Sequence, residues 1–181
     1  MLAKLYGMLL LGLVFLLTLT GNVWAQTRGR ANVEDAAGHA VGTASFEETE
    51  AGVLITVNVQ GLPPGLHAVH VHTVGRCDRP TFTSAGGHFN PLARKHGLKN
   101  PSGPHAGDLP DMYINTDGTG RYEVLMESIT LRSGEASVFD ADGSAIVVHV
   151  TADDNVTDPT GNAGDRIACG VIHHADAGKK M

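Results

Sequence analysis

Between Ser84 and Asp108 the chain reads SAGGHFNPLARKHGLKNPSGPHAGD, a Gly- and Pro-rich stretch carrying His88, His96, His105 and Asp108. Three imidazoles and a carboxylate suit four-coordinate zinc, and a loop without apolar periodicity can take its rigidity from such an ion. His70 and His72 stand two apart in a strand-like run, so both rings leave one face while Val71 points the other way. His149 lies in another apolar run, where an unliganded ring is costly to bury. Any one of these histidines, taken alone, reads more simply as a solvated or hydrogen-bonded ring. As a set they read as ligands, because His70, His72, His149 and one loop imidazole supply the four nitrogens of a tetragonal copper(II) site. Filling both sites requires one shared ligand. His88 is the natural bridge, since it begins the loop and an imidazolate binds one metal through each ring nitrogen.

The elements that would carry these residues are strands. Short alternating runs at 30–35, 39–48, 53–60, 66–72, 112–116, 121–127, 144–150 and 165–172 are separated by turn residues, and no long amphipathic helix is visible. Asp117-Gly118-Thr119-Gly120 is a hairpin signal, and Pro63-Pro64 must interrupt a ladder. Two long irregular stretches, 73–109 and 151–164, are of a kind that is usually functional. The pattern predicts an all-β fold, an eight-stranded Greek-key barrel or flattened sandwich with two long functional loops. The polar tail, 173–181, is expected to be mobile.

The chain opens with Lys4, an apolar run from Leu5 to Thr20, and small residues Val23 and Ala25, the order of regions in a signal peptide. Cleavage before Gln26 would leave residues 26–181 as one domain; the competing reading is a retained anchor. Losing Lys4 leaves 12 basic against 19 acidic groups, a balance that disfavours nucleic acid and demands a local positive focus for any anionic substrate. The two cysteines, Cys77 and Cys169, favour a disulfide in an oxidising compartment, with two thiolate ligands as the alternative.

Taken together, LHAVHVH, SAGGHFNP, the H-x7-H-x8-H-x2-D spacing, VVHVTADD and TGNAGDRIACGVI resemble the copper/zinc superoxide dismutases in their bacterial secreted form, across essentially all of residues 26–181. The resemblance implies copper on His70, His72, His88 and His149, zinc on His88, His96, His105 and Asp108, and a bridging, catalytic His88. It implies a Cys77–Cys169 disulfide, Asp153 as an acceptor linking His70 to His96, a structural His67, and Arg166 as the guanidinium that receives superoxide. A periplasmic or secreted protein follows, monomer or homodimer, with no stable membrane association once the leader is removed. Loop 151–164 departs from the better-known cytosolic pattern in lacking lysine, which leaves Arg94, Lys95 and Lys99 as candidates for steering the anion. The rival class is a non-enzymatic secreted copper/zinc-binding protein, a metal buffer or donor.

Overall fold

The computed structural model describes residues 27–175. The leader, 1–25, and the last tail residues, 176–181, lie outside the described residues. Ten strands follow one another: β1 (Arg28–Asp35), β2 (Ala40–Thr49), β3 (Gly52–Val59), β4 (Gly65–His67), β5 (Val69–His72), β6 (Met112–Ile114), β7 (Gly120–Met126), β8 (Ala145–His149), β9 (Arg166–Val171) and β10 (His173–His174). One 3₁₀ turn, Thr83–Ala85, interrupts the first long loop. Among the described residues no helix is long and apolar enough to cross a membrane.

The main sheet runs β5-β8-β9-β1-β2-β3-β7, antiparallel throughout, and β4 pairs with β6. The Asp117-Gly118 turn joins β6 to β7, and β4 runs on into β5, so the sheet curls back to its own edge as a barrel. The connections β3–β4 and β7–β8 cross between non-neighbouring strands, which gives the Greek key. The eight expected strands are all present, with two amendments. The run 66–72 is broken at Ala68, where the chain leaves β6 and takes β8 as its partner. The last strand continues beyond Ile172 as β10: His173 and His174 pair with Arg30 and Gly29, and the His174 ring stacks on Phe139 at 3.7 Å. The start of the tail is therefore held by the sheet, contrary to the expected mobility, because the free edge of β1 there accepts a partner.

Alternation places one face of each outer strand in the core. Val53, Ile55, Val57 and Val59 of β3 are buried with Ala31 and Val33 of β1 and Ala44 and Phe46 of β2. In β5 and β8 every residue is buried, because the barrel packs against one face and the long loops cover the other. Val69, Val71, Ile146 and Val148 join the barrel core. On the outer face Ala145 and Val147 pack with Phe82, Ala85 and Cys169 in a second, smaller cluster. The face of β5 and β8 that carries the histidines is therefore the floor beneath the loops.

Candidate metal centre

Loop segments dock on the free edge of β5 and place His88 and Asp108. Phe89 N–H donates to Val71 O at 2.8 Å, Val71 N–H to Gly107 O at 2.9 Å, and Gly107 N–H to Phe89 O at 2.8 Å. His70 thus comes opposite Asp108, and His72 opposite His88. Gly107 permits the approach, since a Cβ there would stand 2.3 Å from Val71 O. His149 arrives from β8, and the ladder to β9 shifts register between Val148 and His149, so that Arg166 rather than Ile167 lies opposite His149. This bulge lets Ile167 and Ala168 both serve the core and returns Arg166 to the histidine side.

Two four-residue groups result, each with ligand atoms within 4.8 Å of one another and all members buried: His70, His72, His88, His149 and His88, His96, His105, Asp108. They share His88. Its Nδ1 lies 2.9 Å from Asp108 Oδ1 and 3.4 Å from His105 Nδ1, towards the second group, while its buried Nε2 has no hydrogen-bond partner. The other rings are oriented by what their second nitrogen does. Nδ1 of His72 meets Gly86 O at 2.9 Å and Nδ1 of His149 meets Gly164 O at 3.1 Å, so both offer Nε2, and these stand 3.4 Å apart. Nε2 of His70 and Nε2 of His96 meet the two oxygens of Asp153 at 2.8 and 3.0 Å, which leaves Nδ1 of His70 buried and free and turns Nδ1 of His96 to Asp108 Oδ2 at 3.0 Å. Backbone carbonyls and one carboxylate thereby set the tautomers and aim a lone pair at each centre. His67, outside both groups, directs Nδ1 to His149 O at 2.8 Å and holds that strand end.

The charge states suit ligands. Burial lowers His88 to about 4 and His149 to about 3 and pushes His72 well below its usual range, so their lone pairs are free at neutral pH. His96 behaves differently: burial opposes its proton, but Asp108 and Asp153 outweigh it and raise the ring to about 9. Burial likewise works against both carboxylates, yet hydrogen bonds from the surrounding imidazoles hold Asp108 and Asp153 well below the carboxylate range. The second group therefore demands positive charge. The orphaned nitrogens on His70 and His88 and this demand together fit a pair of cations.

A cavity of about 620 Å³ opens on the first group, lined by His72, His88, His149, Thr160, Asn162 and Arg166 among others. Arg166 is half-buried and donates to Phe82 O and Gly86 O, both at 2.6 Å. Gly86 O thus accepts from both His72 and Arg166. The Cys77–Cys169 disulfide closes beneath this loop, with Cα atoms 5.8 Å apart. It rules out the thiolate-ligand alternative for these cysteines. Of the steering candidates, Lys95 is paired with Asp158 at 2.8 Å, which offsets its charge, and Arg94 reaches Gly103 O. The structure thus brings together every residue that the sequence singled out for the two groups, with Asp153 and Arg166 beside them. The Gly86 carbonyl and the β9 bulge had no side-chain signal to announce them.

The family model for copper/zinc superoxide dismutase (SODC) matches residues 40–172. A Cu-Zn superoxide dismutase of Aquifex aeolicus is 47% identical over 159 residues, 87% of this chain and 93% of its own length. One from Caulobacter vibrioides is 43% identical over 138 residues, 75% of this chain and 79% of its own. The crystal structure of a SOD-like protein from Bacillus subtilis superposes with a TM-score of 0.76 at 39% identity, covering 78% of this chain and 96% of that one. With a family match from β2 through β9, both long loops included, the chain belongs to the copper/zinc superoxide dismutases.

Proposed function

We propose that the chain dismutes superoxide to oxygen and hydrogen peroxide, with copper held by His70, His72, His88 and His149 and zinc by His88, His96, His105 and Asp108. The observation that carries this reading is the place of His88 in both groups, one nitrogen committed to the acidic group and the other free towards the cavity side. Copper in the first group would supply a centre that exchanges one electron at a time, chemistry that zinc lacks.

Superoxide is a small anion and this chain is acidic, so it needs a local positive group at the metal. Arg166 supplies it, and its two carbonyl contacts fix the guanidinium beside His149. Each turnover consumes two superoxide ions and two protons, and yields one O₂ and one H₂O₂. His88 Nε2 holds one of these protons between half-reactions and hands it to the outgoing peroxide, and solvent gives the other. Nδ1 points into the His96, His105 and Asp108 group, which would hold the ring in place while Nε2 gains and loses the proton. A metal buffer needs no guanidinium beside its open ligand set, so Arg166 favours the enzyme over a non-enzymatic copper/zinc-binding protein.

The test is metal analysis with a superoxide assay on one preparation, using His149→Ala and His96→Ala as controls. The expected result is one copper and one zinc per chain with activity. Equal metals without dismutation would refute the enzyme reading.

We also read residues 1–25 as a cleaved leader and 26–181 as a periplasmic or secreted domain, free of membrane and monomeric or homodimeric. The apolar run after Lys4 and a disulfide suited to an oxidising compartment support this. Trp24 is the sole tryptophan, so processed protein should lack tryptophan emission, and its presence would indicate retention.

A further inference from the structure

The two long loops are joined at their rims by contacts that neither ligand group requires. Asp158 Oδ1 accepts the backbone N–H of His96 at 2.8 Å, and its Oδ2 pairs with Lys95 Nζ at 2.8 Å. Oδ1 also comes within 3.9 Å of His105 Nε2. Nearby, Lys99 N–H donates to Asn155 O at 3.1 Å. Gly97, at φ +106°, admits this contact, because a Cβ there would stand 2.2 Å from Asn155 O. Loop 151–164 is itself a stiff turn: Asp154 accepts from the Val156 and Thr157 N–H groups and from Asn162 Nδ2. A stiff turn moves as a unit, so Asp158 holds its outer end while Asp153 and Asn155 hold its inner one.

What that segment covers is the acidic group. His96 and Asp108 are fully buried, and His105 shows only at the cavity wall beside Pro159 and Thr160, the two residues after Asp158. His88 and His105 line the cavity together with Pro159 and Thr160, so the way from solvent to His96 and Asp108 runs past residues 159–160.

We propose that Asp158 is a latch that closes loop 151–164 over the His96, His105 and Asp108 group and sets how fast zinc enters and leaves it. The proposal rests on the two-metal reading above. Lys95 is well exposed, so its half of the latch weakens with salt, whereas the bond to the His96 N–H persists. A latch acts on passage in both directions: opening it speeds uptake as much as release and leaves the equilibrium nearly unchanged. A residue that only orients His96 or His105 would instead weaken affinity through faster release.

The test uses the full chain with its disulfide intact and zinc(II) alone. Uptake by metal-free protein and release to excess chromophoric chelator are timed in wild type, Asp158→Ala and Lys95→Met. Asp158→Ala should speed both by about tenfold or more, the change expected on losing one charge-assisted hydrogen bond from the closed loop, with a much smaller change in affinity. Raising salt to 0.5 M should speed exchange in wild type and have little effect on Lys95→Met. Faster release with proportionally weaker binding would overturn the latch in favour of simple ligand support, as would unchanged rates in both variants. Wild type that takes up no zinc would refute the metal reading itself, and the latch with it, before any variant is compared.

Discussion

Stripped of both metals, the protein should be most stable at about pH 7 and lose stability on either side. In the folded metal-free chain His96 is raised to about 9, against 6.5 for an unperturbed histidine. A group whose folded value is raised contributes fully below its unfolded value and loses that contribution as pH rises through the folded one. At about 1.4 kcal/mol per pH unit, the climb from 6.5 to 9 should remove on the order of 3 kcal/mol. The acid side has the opposite origin. Burial, above all, lowers His88 to about 4 and His149 to about 3, so below pH 6.5 the unfolded chain takes protons that the folded chain refuses. At pH 5 that should cost about 2 kcal/mol for each ring. Below pH 4 the limb steepens, as the unfolded chain protonates carboxylates that Asp108 and Asp153 keep ionised in the fold. The assay is urea unfolding followed by circular dichroism from pH 5 to 9.5, metal-free and zinc-loaded, with the disulfide intact. Zinc displaces the His96 proton, so it should abolish the alkaline limb. Metal-free stability that is flat or monotonic across this range would refute the account of the site's charges.

Three further outcomes are expected. Arg166→Glu should keep both metals while cutting turnover and flattening its dependence on ionic strength, and full activity would remove Arg166 from its role. Replacing Cys77 and Cys169 together by serine opens a 92-residue separation and should cost about 4 to 5 kcal/mol in chemical denaturation; an unchanged midpoint would sink the loop-entropy argument. Gly107→Ala sets a Cβ against Val71 O and should destabilise by about 1 to 3 kcal/mol, with lower zinc occupancy because His88 and Asp108 lose their seat on β5. Wild-type zinc content in that variant would show that the docked segments are not what places these ligands.

The strands and the membership of both four-residue groups were legible because they rest on periodicity and residue type. Alternation at 53–60 marks β3, and the two-residue spacing of His70 and His72 forces them onto one face. The break at Ala68 was not legible. LHAVHVH alternates without interruption, and only the change of partner from β6 to β8 divides it. The β9 bulge was hidden for a similar reason, since a register shift belongs to two strands at once. The pairing of Lys95 with Asp158 joins residues 63 apart in sequence, and composition counted that lysine as free charge. His173 and His174 looked like tail because two polar residues carry no strand pattern, yet an open edge of β1 was enough to order them.

The bulge on β9 has a consequence for anyone who would build such a centre anew. In a perfectly regular ladder Arg166 would pair with Val150, on the barrel side, and Ile167 would face the histidines. A designed barrel given all seven residues of the two groups but ideal hydrogen bonding could chelate two ions and still lack the guanidinium beside them. Metal capture and reactivity are thus separable inventions, and one irregular peptide unit marks the boundary between them.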